Sequence, residues 1–238
     1  MSDLYAIADL HLAMDPSIGD KSMDMFGGAW VGHAERLRDI WLRLIDPEDV
    51  VFIPGDISWA LKLPEAMADL AWIDALPGTK VLLRGNHDLW WSSMKKMRGL
   101  FPTVHFIQND CMEFENYVLC GTRGWVCPGD PDFAGDHDKK VYEREILRLG
   151  MSLEKAAKTG KPIIAATHFP PMNRLREPSG FTGLYHQYGV KTAVFGHLHG
   201  DSVHKNAPEG EIDGISYRLV SLDRLKAAPL KLETPNLL

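Results

Sequence analysis

Cysteine is scarce in this chain of 238 residues. Cys111, Cys120 and Cys127 are the only three, and no two of them form a CxxC pair. An odd cysteine count without a CxxC pair argues against a disulfide framework or a structural zinc site, and a reducing compartment fits. No apolar run approaches the roughly 20 residues that a bilayer span requires. The start, Met1-Ser2-Asp3-Leu4-Tyr5-Ala6-Ile7-Ala8-Asp9, lacks a basic segment followed by an apolar one, so no secretory leader is read and a cytoplasmic location is expected. Basic residues are also few. Lys and Arg total 26 against 32 Asp and Glu, for a net charge of −6. That balance argues against nucleic acid as a partner, because phosphate-backbone binders carry a surplus of cations.

Hydrophobic residues make up 45% of the chain, enough for one substantial core, and one domain over 1–238 is expected. Short apolar runs read as strands at 4–8, 50–53, 80–83, 104–107, 117–120, 162–166, 192–195 and 215–220. Several are continuous rather than alternating, the pattern of strands buried on both faces. Helical periodicity lies between them. Leu37, Ile40, Trp41, Leu44 and Ile45 follow the i, i+3, i+4 rule, and Asp46-Pro47 stops the pattern. Pro64 opens a second pattern through Met67, Leu70 and Ile73, and Tyr142, Ile146, Leu149 and Leu153 mark a third. Strand and helix alternate over the first 90 residues, which predicts an α/β fold with parallel pairing. Glu115-Asn116 predicts a hairpin turn, and Pro208 to Gly214 a looser one. Three glycine- and proline-punctuated stretches read as long loops near 13–32, 121–138 and 170–189.

The chemistry lies at the strand ends. Asp9 and His11 close the first run, and Asp56 follows the second in Pro54-Gly55-Asp56. Asn86 and His87 follow the third in Gly85-Asn86-His87-Asp88. His168 follows the run at 162–166, and His197 and His199 follow the run at 192–195 in Gly196-His197-Leu198-His199. In α/β sheets the C-terminal strand edge is where ligands bind. If Asp9 and His11 continue their strand, both side chains share a face, and the same holds for His197 and His199. Glycine before Asp56, Asn86 and His197 allows a sharp turn or a close backbone approach. Carboxylate, amide and imidazole without thiolate suit manganese, iron or zinc. Seven ligands exceed what one ion with an open position takes, and fit two ions that share a carboxylate. The positive charge left over would draw in a phosphate and acidify a water held between the ions.

As a set, Asp9-x-His11, Gly55-Asp56, Gly85-Asn86-His87-Asp88, His168 and Gly196-His197-x-His199 resemble the blocks of the calcineurin-like metallophosphoesterases, in the family's order. The resemblance implies a two-sheet β-sandwich flanked by helices. It implies a metal-dependent phosphoesterase that hydrolyses a phosphate mono- or diester by attack of a metal-bridging hydroxide. Asp9, His11 and His199 would hold one divalent ion, and Asn86, His168 and His197 the other, with Asp56 between them. His87 would serve the leaving group and Asp88 would orient His87. Two departures narrow the resemblance. Asp56-Ile57-Ser58 is not the Asp-Arg-Gly of the serine/threonine protein phosphatases, and His87 stands where the lipid A pathway pyrophosphatases carry arginine. What remains looks like the small bacterial phosphohydrolases of unassigned substrate. A small-molecule phosphate ester is the expected partner, with no membrane involved. A nuclease with the same site is one alternative, and a non-catalytic metal-binding module is another.

Around these residues, His33, His105, His137, His186 and His204 are read as ordinary histidines. Trp41 fits the helix core, and Trp72 is read as covering it. Trp30, Trp59, Trp90, Trp91 and Trp125 sit in or beside the loops, where packing or substrate stacking would both use them. Arg123, Arg174 and Arg176 are on rim loops, where they would grip phosphate or face solvent.

Overall fold

A computed structural model describes residues 2–18 and 23–233 of the chain. Residues 19–22 of the expected first loop lie outside the described part. Two mixed sheets face each other. One has the order β11 (Leu230–Leu232), β1 (Leu4–Ala6), β2 (Val50–Pro54), β3 (Thr79–Leu83) and β4 (Val104–Phe106). The other runs β5 (Cys111–Glu113), β6 (Val118–Thr122), β7 (Ile163–Thr167), β8 (Thr192–Phe195), β10 (Ile215–Leu219) and β9 (Gly210–Ile212). The inner strands pair in parallel, while β11, β5 and β9 pair antiparallel at three of the edges. This is the sandwich that the resemblance implies.

Alternation along each strand builds three apolar layers. Leu4, Ala6, Val50 and Phe52 face Ile164, Ala166 and Val194 between the sheets. Tyr5, Ile7, Val51 and Ile53 point outward against α1 (His33–Leu44) and α2 (Leu63–Asp74), where Leu37, Trp41, Leu70 and Ile73 cover them. On the opposite side, Ile163 and Ala165 meet Leu149 and Leu153 of α4 (Gly135–Ala157) and Phe181 and Tyr185 of α5 (Gly180–Gln187). Continuous apolar runs thus reflect strands covered on both faces. Short helices α3 (Met94–Met97) and α6 (Asp201–His204) complete the set.

The expected loops are shorter than the sequence suggests. The stretch 121–138 loses its ends to β6 and to α4, which also runs unbroken through Gly150. The stretch 170–189 contains α5. There Ser179 accepts hydrogen bonds from the backbone N–H groups of Phe181 and Thr182, at 3.0 and 3.1 Å. Thr182 Oγ1 in turn accepts from Ser179 N at 2.9 Å. This reciprocal cap and the burial of Phe181 and Tyr185 outweigh the helix-breaking signals of Pro178, Gly180 and Gly183. Among its described residues, the stretch 13–32 holds three single 3₁₀ turns, at Pro16–Ile18, Met23–Phe26 and Gly28–Trp30. The hairpin expected at Glu115-Asn116 forms and joins β5 to β6. The looser one expected over Pro208 to Gly214 is instead tight: β9 occupies Gly210–Ile212, and Asp213-Gly214 alone, both at positive φ, turn the chain into β10.

Candidate metal centre

The first sheet delivers Asp9, His11, Asp56, Asn86 and His87 past the ends of β1, β2 and β3. The second delivers His168, His197 and His199 past the ends of β7 and β8. The two sets meet at one end of the sandwich. His197 N donates to the Asp9 carboxylate at 3.0 and 3.1 Å, and Gly196 N donates to the His168 carbonyl at 3.0 Å.

The way the side chains converge differs from the expected strand continuation. β1 stops at Ala6, and Asp9 and His11 carry φ values of 60° and 43°. Asp56 (52°) and His197 (71°) share that left-handed region. Such backbone costs a non-glycine residue on the order of 1–3 kcal/mol each and persists where surrounding contacts impose it. Here tight backbone reversals, not alternate strand positions, aim the ligands inward. The neighbouring glycines are matters of space. A Cβ on Gly85 would lie 2.1 Å from Asp56 Oδ1, and one on Gly196 would lie 2.5 Å from Asp9 Oδ2.

Two groups of possible ligands result. Asp9, His11 and His199 form one, and Asp56, His168 and His197 the other, with ligating atoms within 4.8 Å of one another in each. Asn86 joins the second, its Oδ1 lying 2.8 Å from His168 Nε2 and 2.9 Å from His197 Nδ1. Asp56 Oδ2 reaches both groups, at 3.3 Å from His168 Nε2 and 3.8 Å from His11 Nε2. His199 Nε2 lies 3.8 Å from Asp9 Oδ1. Atoms about 2.0–2.2 Å from a common ion stand at such separations from each other.

Protonation supports the fit. Burial pushes His11 and His197 down to about 3, so both imidazoles are neutral. Burial raises the Asp9 carboxyl, with nearby His199 and His168 opposing the rise. Burial works against ionised Asp56, yet His168 holds it well below the usual carboxylate range. Burial likewise opposes the His168 charge, but Asp56 and Asp9 outweigh it and raise that imidazole to about 9. His168 Nε2, His197 Nδ1, Asn86 Oδ1 and the Asp56 carboxylate thus converge on one place. A divalent ion would satisfy that set with the imidazoles neutral.

Second contacts fix the tautomers. His168 Nδ1 donates to the Pro54 carbonyl at 3.0 Å, turning Nε2 to the centre. His199 Nδ1 donates to Asp223 Oδ1 at 3.1 Å. Sequence reading missed Asp223. Its one signal is that it follows the β10 run, as the ligands follow theirs.

Asp88 departs from its expected role. Its carboxylate accepts from the backbone N–H groups of Asp56, Ile57, Ser58 and Gly85 and from Trp90 Nε1, at 2.7–3.2 Å. It therefore knits the Asp56 loop to the Asn86 loop rather than orienting the His87 ring. A buried carboxylate beside five donors satisfies them at once, which no imidazole contact would do. The His87 ring instead meets Trp59 at 4.5 Å and His11 at 5.5 Å, centre to centre.

The tryptophans divide. Trp30 packs edge-on against His199 and His11, and Trp59 stacks on His11 at 4.8 Å. Trp125 tilts against Phe169, which covers His197. Trp90 and Trp91 are core residues packed on Phe106. Arg123 lies over Trp125 and pairs with Glu145, and Arg174 pairs with Asp130 and Asp132. His33 ties the first loop down through the carbonyls of Trp30 and Leu10.

Residues 3–201 match the family described as calcineurin-like phosphoesterase. Gene 66 protein of Mycobacterium phage D29 is 34% identical over 90 residues, which cover 37% of this chain and 41% of that protein. The match thus spans less than half the length of that relative. A protein of unknown function from Aquifex aeolicus has a similar fold, with a TM-score of 0.50, 16% identity, and 97% of this chain and 96% of that one covered. So does phosphopantetheinyl hydrolase from Mycobacterium tuberculosis, at a TM-score of 0.51 and 16% identity over 98% of this chain and 96% of that one.

Proposed function

The chain belongs to the calcineurin-like phosphoesterase family, and from that premise we propose that it hydrolyses a small-molecule phosphate ester at a pair of divalent ions. Membership supports hydrolysis of phosphoric ester bonds with metal assistance. The rest is our reading. One domain over 1–238 would place Asp9, His11 and His199 on one ion and Asn86, His168 and His197 on the other, with Asp56 shared. Manganese or iron suits the set best, and zinc is compatible. When bound, the ions would supply Lewis acidity and an acidified water for attack on phosphorus.

The chain's own residues do the remainder. Asp56 fixes the spacing of the two ligand groups. Asp88 locks the loops that carry Asp56 and Asn86. His87, on the cavity side and free of metal ligation, hands a proton to the departing alcohol oxygen. The observation that carries this reading is the reach of Asp56 Oδ2 into both groups. A cytoplasmic location belongs to the same reading and is supported by three free thiols, Cys111, Cys120 and Cys127. No described helix is long and apolar enough to cross a membrane.

The test is a hydrolysis screen of Mn²⁺-loaded protein against aryl mono- and diesters, nucleotides and cyclic nucleotides, with Asp56→Asn as control. Turnover by the wild type and none by the variant is expected. Equal turnover by both would overturn the assignment. Salt-sensitive binding to a DNA oligomer would favour a nuclease instead.

A further inference from the structure

The centre stands between two cavities that share no lining residue. One, of about 500 Å³, has Trp125, Phe169, Met172, Leu198 and Val203 in its wall and reaches His197. The other, of about 460 Å³, has Met23, Phe26, Trp30 and Trp59 in its wall and reaches His11, His87 and His199. Each mouth keeps a large apolar side chain in water, Val203 at 40% and Phe26 at 64% exposure. A phosphorus atom held at the centre thus has an apolar recess on either side. A monoester, with one organic substituent, fills one recess and leaves the other wet.

Charge narrows the choice further. Among the described residues, the second cavity is lined by no Lys or Arg and by two acids, Asp201 and Asp223. The first has one cation, Arg174, and its guanidinium is already 3.1 Å from Asp132 and 3.5 Å from Asp130. A second phosphate or a polyanionic backbone would meet these carboxylates with no free cation among the described lining residues to offset them.

Resting on the reading above, we infer that the substrate is a phosphodiester with a single phosphoryl group and two uncharged or cationic organic substituents, one for each cavity. His87 lies on the Trp59 side, so the alcohol in that cavity departs. Water adds its oxygen to phosphorus. The P–O bond on the Trp59 side breaks, and its electron pair stays on the alcohol oxygen, which takes a proton. The products are that alcohol and a phosphomonoester that keeps the substituent of the Trp125 cavity.

The test compares four substrates on Mn²⁺-loaded protein: phenyl 4-nitrophenyl phosphate, methyl 4-nitrophenyl phosphate, 4-nitrophenyl phosphate and ADP. The phenyl diester should exceed the methyl diester in kcat/KM by about tenfold or more, the scale of one well-fitted apolar group. It should also exceed the monoester and ADP. Val203→Trp, at an exposed position, should fill the first cavity and bring the phenyl-to-methyl ratio near one. A wild-type ratio near one, a ratio that Val203→Trp leaves unmoved, or preference for the monoester or ADP would each overturn the inference while leaving phosphoester hydrolysis standing. Failure to hydrolyse any of the four would overturn the inference together with the proposed function.

Discussion

The rings of Trp59 and His87 meet with centres 4.5 Å apart and planes inclined at 59°. The same indole stacks on His11 at 4.8 Å. Trp59 is therefore a shared wall for a proposed metal ligand and a proposed proton donor, and the adjacent carboxylate of Asp88 is engaged elsewhere. Small displacements of a catalytic group cost large factors in rate. Trp59→Ala should lower kcat about tenfold or more while metal content, read by elemental analysis, stays near that of the wild type. Trp59→Phe should recover most of the loss. Unchanged kcat in Trp59→Ala would remove the indole from any positioning role.

His87→Ala should keep its metal and lose about 10²–10⁴ in rate, the range of a single acid–base residue. The loss should grow with the pKa of the leaving alcohol, because a poor leaving group depends most on the proton. Steady-state kinetics across substituted aryl and alkyl esters checks this. A loss independent of the leaving group would assign His87 to binding alone.

Asp88 is buried among five donors, and burial with the nearby Asp56 charge raises its carboxyl to about 6 against those bonds. Asp88→Ala should leave several buried N–H groups unpaired and destabilise the metal-free protein by about 3–5 kcal/mol. Urea unfolding measures the difference. A change below about 1 kcal/mol would contradict the bracing role.

Much of the fold and of the site is legible in the sequence, for a physical reason. Ligand atoms must be N or O donors at strand ends, so their residue types and order survive in the sequence as a pattern. Strands buried on both faces leave continuous apolar runs. The edge strands β5 and β11 leave weaker traces, since each is three residues long and partly exposed. α5 was hidden because its glycines and Pro178 read as a loop, while its stability comes from a cap and from tertiary burial. Nor does a motif show direction. Spacing placed Asp9 and His11 on one strand face, whereas positive φ angles bring them together. Proximity in sequence suggested Asp88 for His87, whereas the unpaired amides of two loops claim it. Asp223 escaped notice because a supporting carboxylate needs no fixed spacing from the histidine it holds.

Lys80 offers a pH-dependent check away from the centre. It is fully buried on β3, with Nζ donating to the carbonyls of Leu76 and Asp74. Burial pushes its ammonium down to about 8 from 10.5. Between those two values the unfolded chain binds more protons than the folded one, so this group's contribution to stability improves as pH rises through that window. The stability of wild type relative to Lys80→Met should therefore increase between pH 7.5 and pH 10, by on the order of 1–2 kcal/mol. A difference that does not vary with pH would contradict a depressed lysine.

The central claim is that one carboxylate, Asp56, serves two metal positions, and counting ions in purified, Mn²⁺-supplemented protein tests it most directly. Two ions per wild-type chain, and a marked loss from both positions in Asp56→Asn, is the predicted result. A wild type that takes up no ion, or an Asp56→Asn variant that retains two bound as tightly, would contradict it.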